Sequence, residues 1–232
     1  MKKLCLALLL LAASAPALAM GPKAVNSAAE VKAGMGAVRL SIQSQTQQWG
    51  ALRVWFLREG GDPANKQDVL EFQRSVGVPI AGVNMIDSKP RVYPLRPGRY
   101  RLIGHGVKCK AMPPEGTIGC TVVQFGISET PALRYGEPSP SFEVVAGKLT
   151  DAGEFILEAA PNSPITEGDA LKVARKNPRW FRIAVRPIAQ PVPAAFQRMA
   201  AGPPVEVPPG FASNIQCPRR PKGAMMYLPF TC

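Results

Sequence analysis

The sequence predicts an all-β protein, an antiparallel β-sandwich with one or two short helices and a proline-rich C-terminal tail. Three observations predict it. Apolar residues recur with a period of two in many short runs, the signature of half-buried strands. Turn residues separate those runs, and Gly (21) and Pro (25) together make up about a fifth of the 232 residues, too many for long helices throughout. No strands alternate with long amphipathic helices, which excludes a parallel α/β plan.

The elements follow in order. Residues 1–19 read as a signal peptide, with Lys2 and Lys3 as the charged region, Leu4 to Leu11 as the apolar run and Ala17-Leu18-Ala19 as the small-x-small cleavage site. Residues 20–36 are small and polar and read as a flexible lead-in. The sandwich domain is expected over residues 37–188. Val38, Leu40 and Ile42 alternate with Arg39, Ser41 and Gln43, and Leu52, Val54 and Phe56 alternate with Arg53, Trp55 and Leu57. Gly60-Gly61-Asp62-Pro63 then turns the chain. Val69 to Val76 suits a strand or a helical turn, and Pro79 to Ile86 a short strand. Pro97-Gly98 is a turn into the alternating Tyr100 and Leu102. Thr121 to Phe125, Ser141 to Val145, Glu154 to Glu158 and Arg179 to Val185 continue the series. Short helices are expected over Leu171 to Lys176 and Ala194 to Ala201. Residues 189–232 form the tail. Ten prolines fall between Pro187 and Cys232, and proline cannot donate to a strand ladder.

Charge and cysteine content narrow the setting. The chain carries 28 Lys and Arg against 16 Asp and Glu, a formal charge of +12. Cleavage after Ala19 removes Cys5 and leaves Cys109, Cys120, Cys217 and Cys232. Four cysteines in an exported chain suggest two disulfides, with three connectivities open. Cys109 with Cys120 and Cys217 with Cys232 are favoured, because each pair closes a short, turn-rich loop. The expected location is the periplasm or the outside of the cell.

Two segments resemble a known pattern. Leu95-Arg96-Pro97-Gly98-Arg99-Tyr100-Arg101-Leu102 resembles the L-x-P-G-x-Y-x-L hairpin of exported bacterial β-sandwich domains, among them carboxypeptidase-regulatory-like and transthyretin-like modules. Phe142-Glu143-Val144-Val145-Ala146-Gly147, followed by Gly153-Glu154-Phe155, is similar to a second hairpin of uncharacterised envelope domains of that kind. The resemblance spans residues 37–160 and implies an Ig-like or transthyretin-like sandwich. It carries over no catalytic residue.

Chemistry has few places to reside. A single histidine excludes multi-histidine metal sites. His105-Gly106 ahead of Thr117-Ile118-Gly119-Cys120 is similar in order to the signature of L,D-transpeptidases, where a histidine activates a cysteine nucleophile. Ile118 stands where that signature has its second histidine, and Thr121-Val122-Val123 lacks its arginine. A divergent cysteine enzyme acting on peptidoglycan, with Cys120 and His105, is therefore the alternative reading. His105, Cys109 and Met112 offer a soft copper-ligand set, but a blue-copper site needs a second histidine. No cofactor is expected. Glu154 and Glu158 read as exposed strand charges, with Asp151 in the adjoining turn.

The basic residues cluster twice. Lys172, Arg175, Lys176, Arg179, Arg182 and Arg186, with Trp180 among them, form a candidate anion-binding patch, and Arg91, Arg96, Arg99 and Arg101 form a second group. Outside the cytoplasm nucleic acid is not an expected target, and anionic lipid headgroups or envelope polymers are. The sequence therefore predicts a non-enzymatic envelope protein that binds or scaffolds, contacting an anionic component or another envelope protein. A secreted inhibitor or accessory subunit that presents its tail is a further alternative. Non-reducing peptide mapping is expected to recover a Cys109–Cys120 peptide and a Cys217–Cys232 peptide; a Cys109–Cys217 peptide overturns the pairing.

Overall fold

The computed structural model describes residues 21–44, 52–62, 65, 68–76, 86–87, 89–107, 133–159, 181–211 and 215–216. The signal segment, the expected strand over 121–125, the expected helix over 171–176 and all five cysteines lie outside these residues, as does all but Ile86 of the expected strand Pro79 to Ile86. The described residues are rich in strand. The strands are β1 (Gly36–Ser44), β2 (Leu52–Arg58), β3 (Val69–Gln73), β4 (Ser75–Val76), β5 (Ile86–Asp87), β6 (Arg91–Leu95) and β7 (Gly98–Val107). They continue as β8 (Leu133–Tyr135), β9 (Ser141–Val144), β10 (Lys148–Ala159), β11 (Phe181–Arg186), β12 (Ala200–Ala201) and β13 (Ile215–Gln216). No helix among the described residues is long and apolar enough to cross a membrane.

The strands form two main sheets. The first runs β11-β10-β1-β6, with β12 also on β10. The second runs β13-β8-β7-β2-β3, with β9 sharing the β7 edge with β8. Two pairings depart from the antiparallel expectation. β1 lies parallel to β10, and β12 is also parallel to β10. A period of two tells which face a side chain takes; it carries no information on strand direction, and the chain between β1 and β10 is long enough to return in either sense.

The inner faces of the two sheets share one buried cluster that includes Val38, Leu40, Val54, Phe56, Phe142, Phe155 and Ile183. Phe56 is at its centre, with ring centroids 5.0 Å from Phe142, 5.1 Å from Phe155 and 5.7 Å from Phe72. Edge-to-face packing suits the aromatic quadrupole and adds to the burial gain.

Two bulges decide which residues reach this cluster. On β7, Phe56 faces Leu102 and Trp55 faces Gly104, so Ile103 is the extra residue. Before it, Tyr100 and Leu102 point inward; after it, the inward parity passes to His105, which stands opposite Val54. Ile103 joins Trp55 in a separate cluster on the outer face. On β10, Arg39 faces Asp151 and Leu40 faces Gly153, with Ala152 extra. Ala152 then shares the inner cluster with Phe155 and Leu157. A single inserted residue changes which face every later side chain takes.

The segment expected as tail is ordered on the sheets over residues 189–211, where it forms a strap. It crosses the outer face of the first sheet, pairs there as β12, bridges Glu206 to Ser141 of β9 and then inserts Phe211 beside Tyr135. Its prolines leave backbone carbonyls without ladder partners, and Arg39 supplies donors. Arg39 Nη2 donates to the carbonyls of Gln190 at 2.6 Å and Pro191 at 3.0 Å, and Nη1 pairs with Asp151 at 3.2 Å. Arg39 and Ser41, polar in the alternating pattern, are each only 2% exposed. The helix expected over Ala194 to Ala201 is a single 3-10 turn, Ala194–Phe196, because Phe196 is drawn onto Leu149 and Ala37 while Ala200–Ala201 are held extended against β10. At the opposite margin, Val25 bridges to Val92 and Ala24 packs on the inner cluster, so the expected lead-in is also tied down.

Phe56→Ala removes the central ring, and about 3–5 kcal/mol of stability is expected to be lost. Val207→Ala, at an exposed position, is expected to stay within about 0.5 kcal/mol. Chemical denaturation of both variants checks the contrast.

Candidate functional site

His105 is carried inward by the Ile103 bulge and is 3% exposed. Its Nδ1 lies 2.7 Å from the hydroxyl of Tyr135 on β8. That hydroxyl accepts a hydrogen bond from the Ile183 N–H at 3.1 Å. With the oxygen accepting there, the phenol proton is assigned to Nδ1, which places the imidazole hydrogen on Nε2. Burial pushes the ring's pKa down to about 3 and raises that of the Tyr135 phenol. A general base must offer a lone pair to its nucleophile. The acceptor nitrogen of His105 is already occupied, and Cys120 lies outside the described residues. What the arrangement does in this state is join β7 and β8 of one sheet to β11 of the other.

The candidate anion-binding patch is described only at its C-terminal end. Lys172, Arg175, Lys176, Arg179 and Trp180 lie outside the described residues. Arg182 and Arg186 stand on the outer face of β11, and one carboxylate holds both. Glu158 accepts from Arg182 Nη2 at 2.9 Å through one oxygen and from Arg186 Nη2 at 2.5 Å through the other. The carboxylate is 8% exposed, whereas Arg186 is 51% exposed. Two guanidiniums share one carboxylate, which orients both and leaves Arg186 accessible at the end of the rack. Glu158, expected as an exposed strand charge, is the buried centre of that rack, and Glu154 stands directly opposite Arg186 on the same face.

The second basic group is divided by the fold. Arg91 stands on β6 of the first sheet, while Arg99 and Arg101 lie on the outer face of β7 in the second. These two, with Arg58 from the end of β2, line a groove of about 770 Å³ together with Glu59, Glu137 and Glu206. Arg99 pairs with Glu206 and also donates to the Ser141 hydroxyl at 3.1 Å. Arg101 Nε lies 3.1 Å from Glu137. Gly98 explains the placement of Arg58. Its φ of 146° is open to glycine, and a Cβ there would sit 3.0 Å from Arg58 Nε. The hairpin glycine thus makes room for a guanidinium as well as a turn. Arg58, Glu137 and Glu206 carry no signal in the sequence, being far apart in the chain and brought to one groove by the pairing of β7 with β2 and the return of the strap to β9. Among the described residues, no three of His, Cys, Asp and Glu gather as a metal ion would require.

The His105 contact has a pH signature. The unfolded chain takes up a proton near pH 6.5, while the folded protein does so only near pH 3. Between those values the unfolded state binds more protons, so stability contributed by the neutral ring is complete above pH 6.5 and is lost as the pH falls toward 3, by at most about 1.4 kcal/mol per unit. His105→Gln is expected to flatten this part of the stability curve, as read by denaturant melts at pH 7, 5.5 and 4. An unchanged slope contradicts the burial of a neutral ring.

No protein-family model matches the chain, and no curated protein matches it. Among solved structures, a leucine-rich repeat protein from Bacteroides thetaiotaomicron matches with 17% identity over 53% of this chain and 14% of that one, at a TM-score of 0.25. The matched region is a small part of that protein and the superposition is loose.

Proposed function

We propose that the protein is an exported, non-enzymatic envelope protein of binding or scaffolding type, built on a β-sandwich that contacts anionic envelope components through its arginines. The observation that supports this most is the rack on β10 and β11, where Glu158 holds Arg182 and Arg186 side by side and Arg186 stays half-exposed. The chain leading into that rack carries Lys172, Arg175, Lys176 and Arg179, so the local field adds to the strong basic balance of the whole. The engagement of the His105 acceptor nitrogen by Tyr135 favours binding over cysteine catalysis.

The test is sedimentation with vesicles containing phosphatidylglycerol, against vesicles of phosphatidylcholine alone. Binding is expected only to the anionic vesicles and is expected to weaken as salt rises. Arg186→Gln, at a half-exposed site, is expected to weaken it about fivefold. Equal retention at low and high salt, or no dependence on Arg186, overturns the reading.

A further inference from the structure

We propose that the groove between β7, the turn after β2 and the strap binds a small zwitterion, of the class of a short peptide with both termini charged. The groove shares no residue with the arginine rack and stands independently of it.

Its size, about 770 Å³, falls in the range of small-ligand sites. Three guanidiniums and three carboxylates line it, so by net field it draws neither a polyanion nor a polycation. Two of each are committed to one another, Arg99 with Glu206 and Arg101 with Glu137. The third pair is not. Arg58 Nη2 donates to the carbonyl of Pro97 at 3.1 Å, and no carboxylate of the described residues pairs with it. The carboxylate of Glu59 makes no ion pair or side-chain hydrogen bond among the described residues, and Glu59 is exposed. Its backbone is nevertheless held, since its N–H donates to the Arg99 carbonyl at 2.8 Å.

One wall therefore offers an uncommitted cation beside an uncommitted anion, on consecutive residues at the end of a strand. The guanidinium fork suits a carboxylate, and the Glu59 carboxylate suits an ammonium group. Arg58 is confined by its packing over Gly98, which lowers the ordering cost of binding. Leu57, Pro138 and Pro208 supply the apolar wall against which a short backbone can lie.

Calorimetric titration of the full chain with dialanine tests this, alongside N-acetyl-dialanine, dialanine amide and inorganic phosphate. Dialanine is expected to bind, and blocking either terminus is expected to weaken binding by at least about tenfold. Arg58→Met is expected to remove the preference for a free carboxylate, and Glu59→Gln the preference for a free ammonium. Both variants are to show unchanged thermal melts, and Glu59→Gln, at an exposed turn, keeps the test open if Arg58→Met does not fold. Arg186→Gln is expected to bind dialanine as the parent does, which separates this site from the vesicle contact. Equal binding of the blocked peptides, tighter binding of phosphate, or no heat up to about 10 mM dialanine overturns the proposal.

Discussion

The hydroxyl of Tyr135 is a buried polar group that both sheets hold in common. It takes the N–H of Ile183 from the edge of one sheet and gives its proton to His105 of the other. Each of these partners is buried, so each would be costly to leave without a bond, by about 1–3 kcal/mol. The contact depends in turn on one extra residue. Without Ile103 as a bulge, the parity set by Tyr100 and Leu102 would turn His105 outward, and the phenol would face the core with nothing to receive its proton. The aromatic ring of Tyr135 then seats Phe211, with centroids 4.8 Å apart, so the end of the strap is anchored on the same residue.

A second constraint explains how a proline-rich segment becomes part of the fold. Prolines remove N–H donors, yet their neighbours still present carbonyls that need partners. Arg39, buried on the outer face of β1, answers two of them and is itself balanced by Asp151. Phe196 supplies apolar contact on the same face, among Ala37, Val92 and Leu149. The strap then reaches Ser141 of the other sheet through reciprocal backbone hydrogen bonds, Glu206 N–H donating at 2.8 Å and Ser141 N–H at 2.9 Å. Residues far apart in the chain, Arg99 and Glu206, meet at that point. The strap thus builds one wall of the groove while covering the opposite sheet.

Much of the fold was legible in the sequence. The alternation of Val38, Leu40 and Ile42 and of Leu52, Val54 and Phe56 identified the inward faces of β1 and β2, and Pro97-Gly98 marked the entry to β7. The outward direction of Arg182 and Arg186 was legible too, since they alternate with inward Ile183 and Val185 on a strand. Glu158 as their shared partner was not, because a carboxylate in an alternating strand looks the same whether water or two guanidiniums face it. The polar face of β1 was misleading for a similar reason: Arg39 and Ser41 occupy solvent positions by period, and only the strap buries them.

By itself the sequence determined which residues prefer extended structure, where turns fall, and the basic balance of the chain, because these are local or compositional properties. The tertiary structure decided the parallel pairing of β1 with β10, the two parity changes at Ile103 and Ala152, and the company of each charged group. Those outcomes depend on which distant strand supplies the hydrogen bonds, and a backbone donor carries no mark of its partner. Arg58 and Glu59 illustrate the division. Their charges were visible from the start, but that they would stand on the wall of a groove with no ion pair among the described residues was settled only when the chain closed on itself.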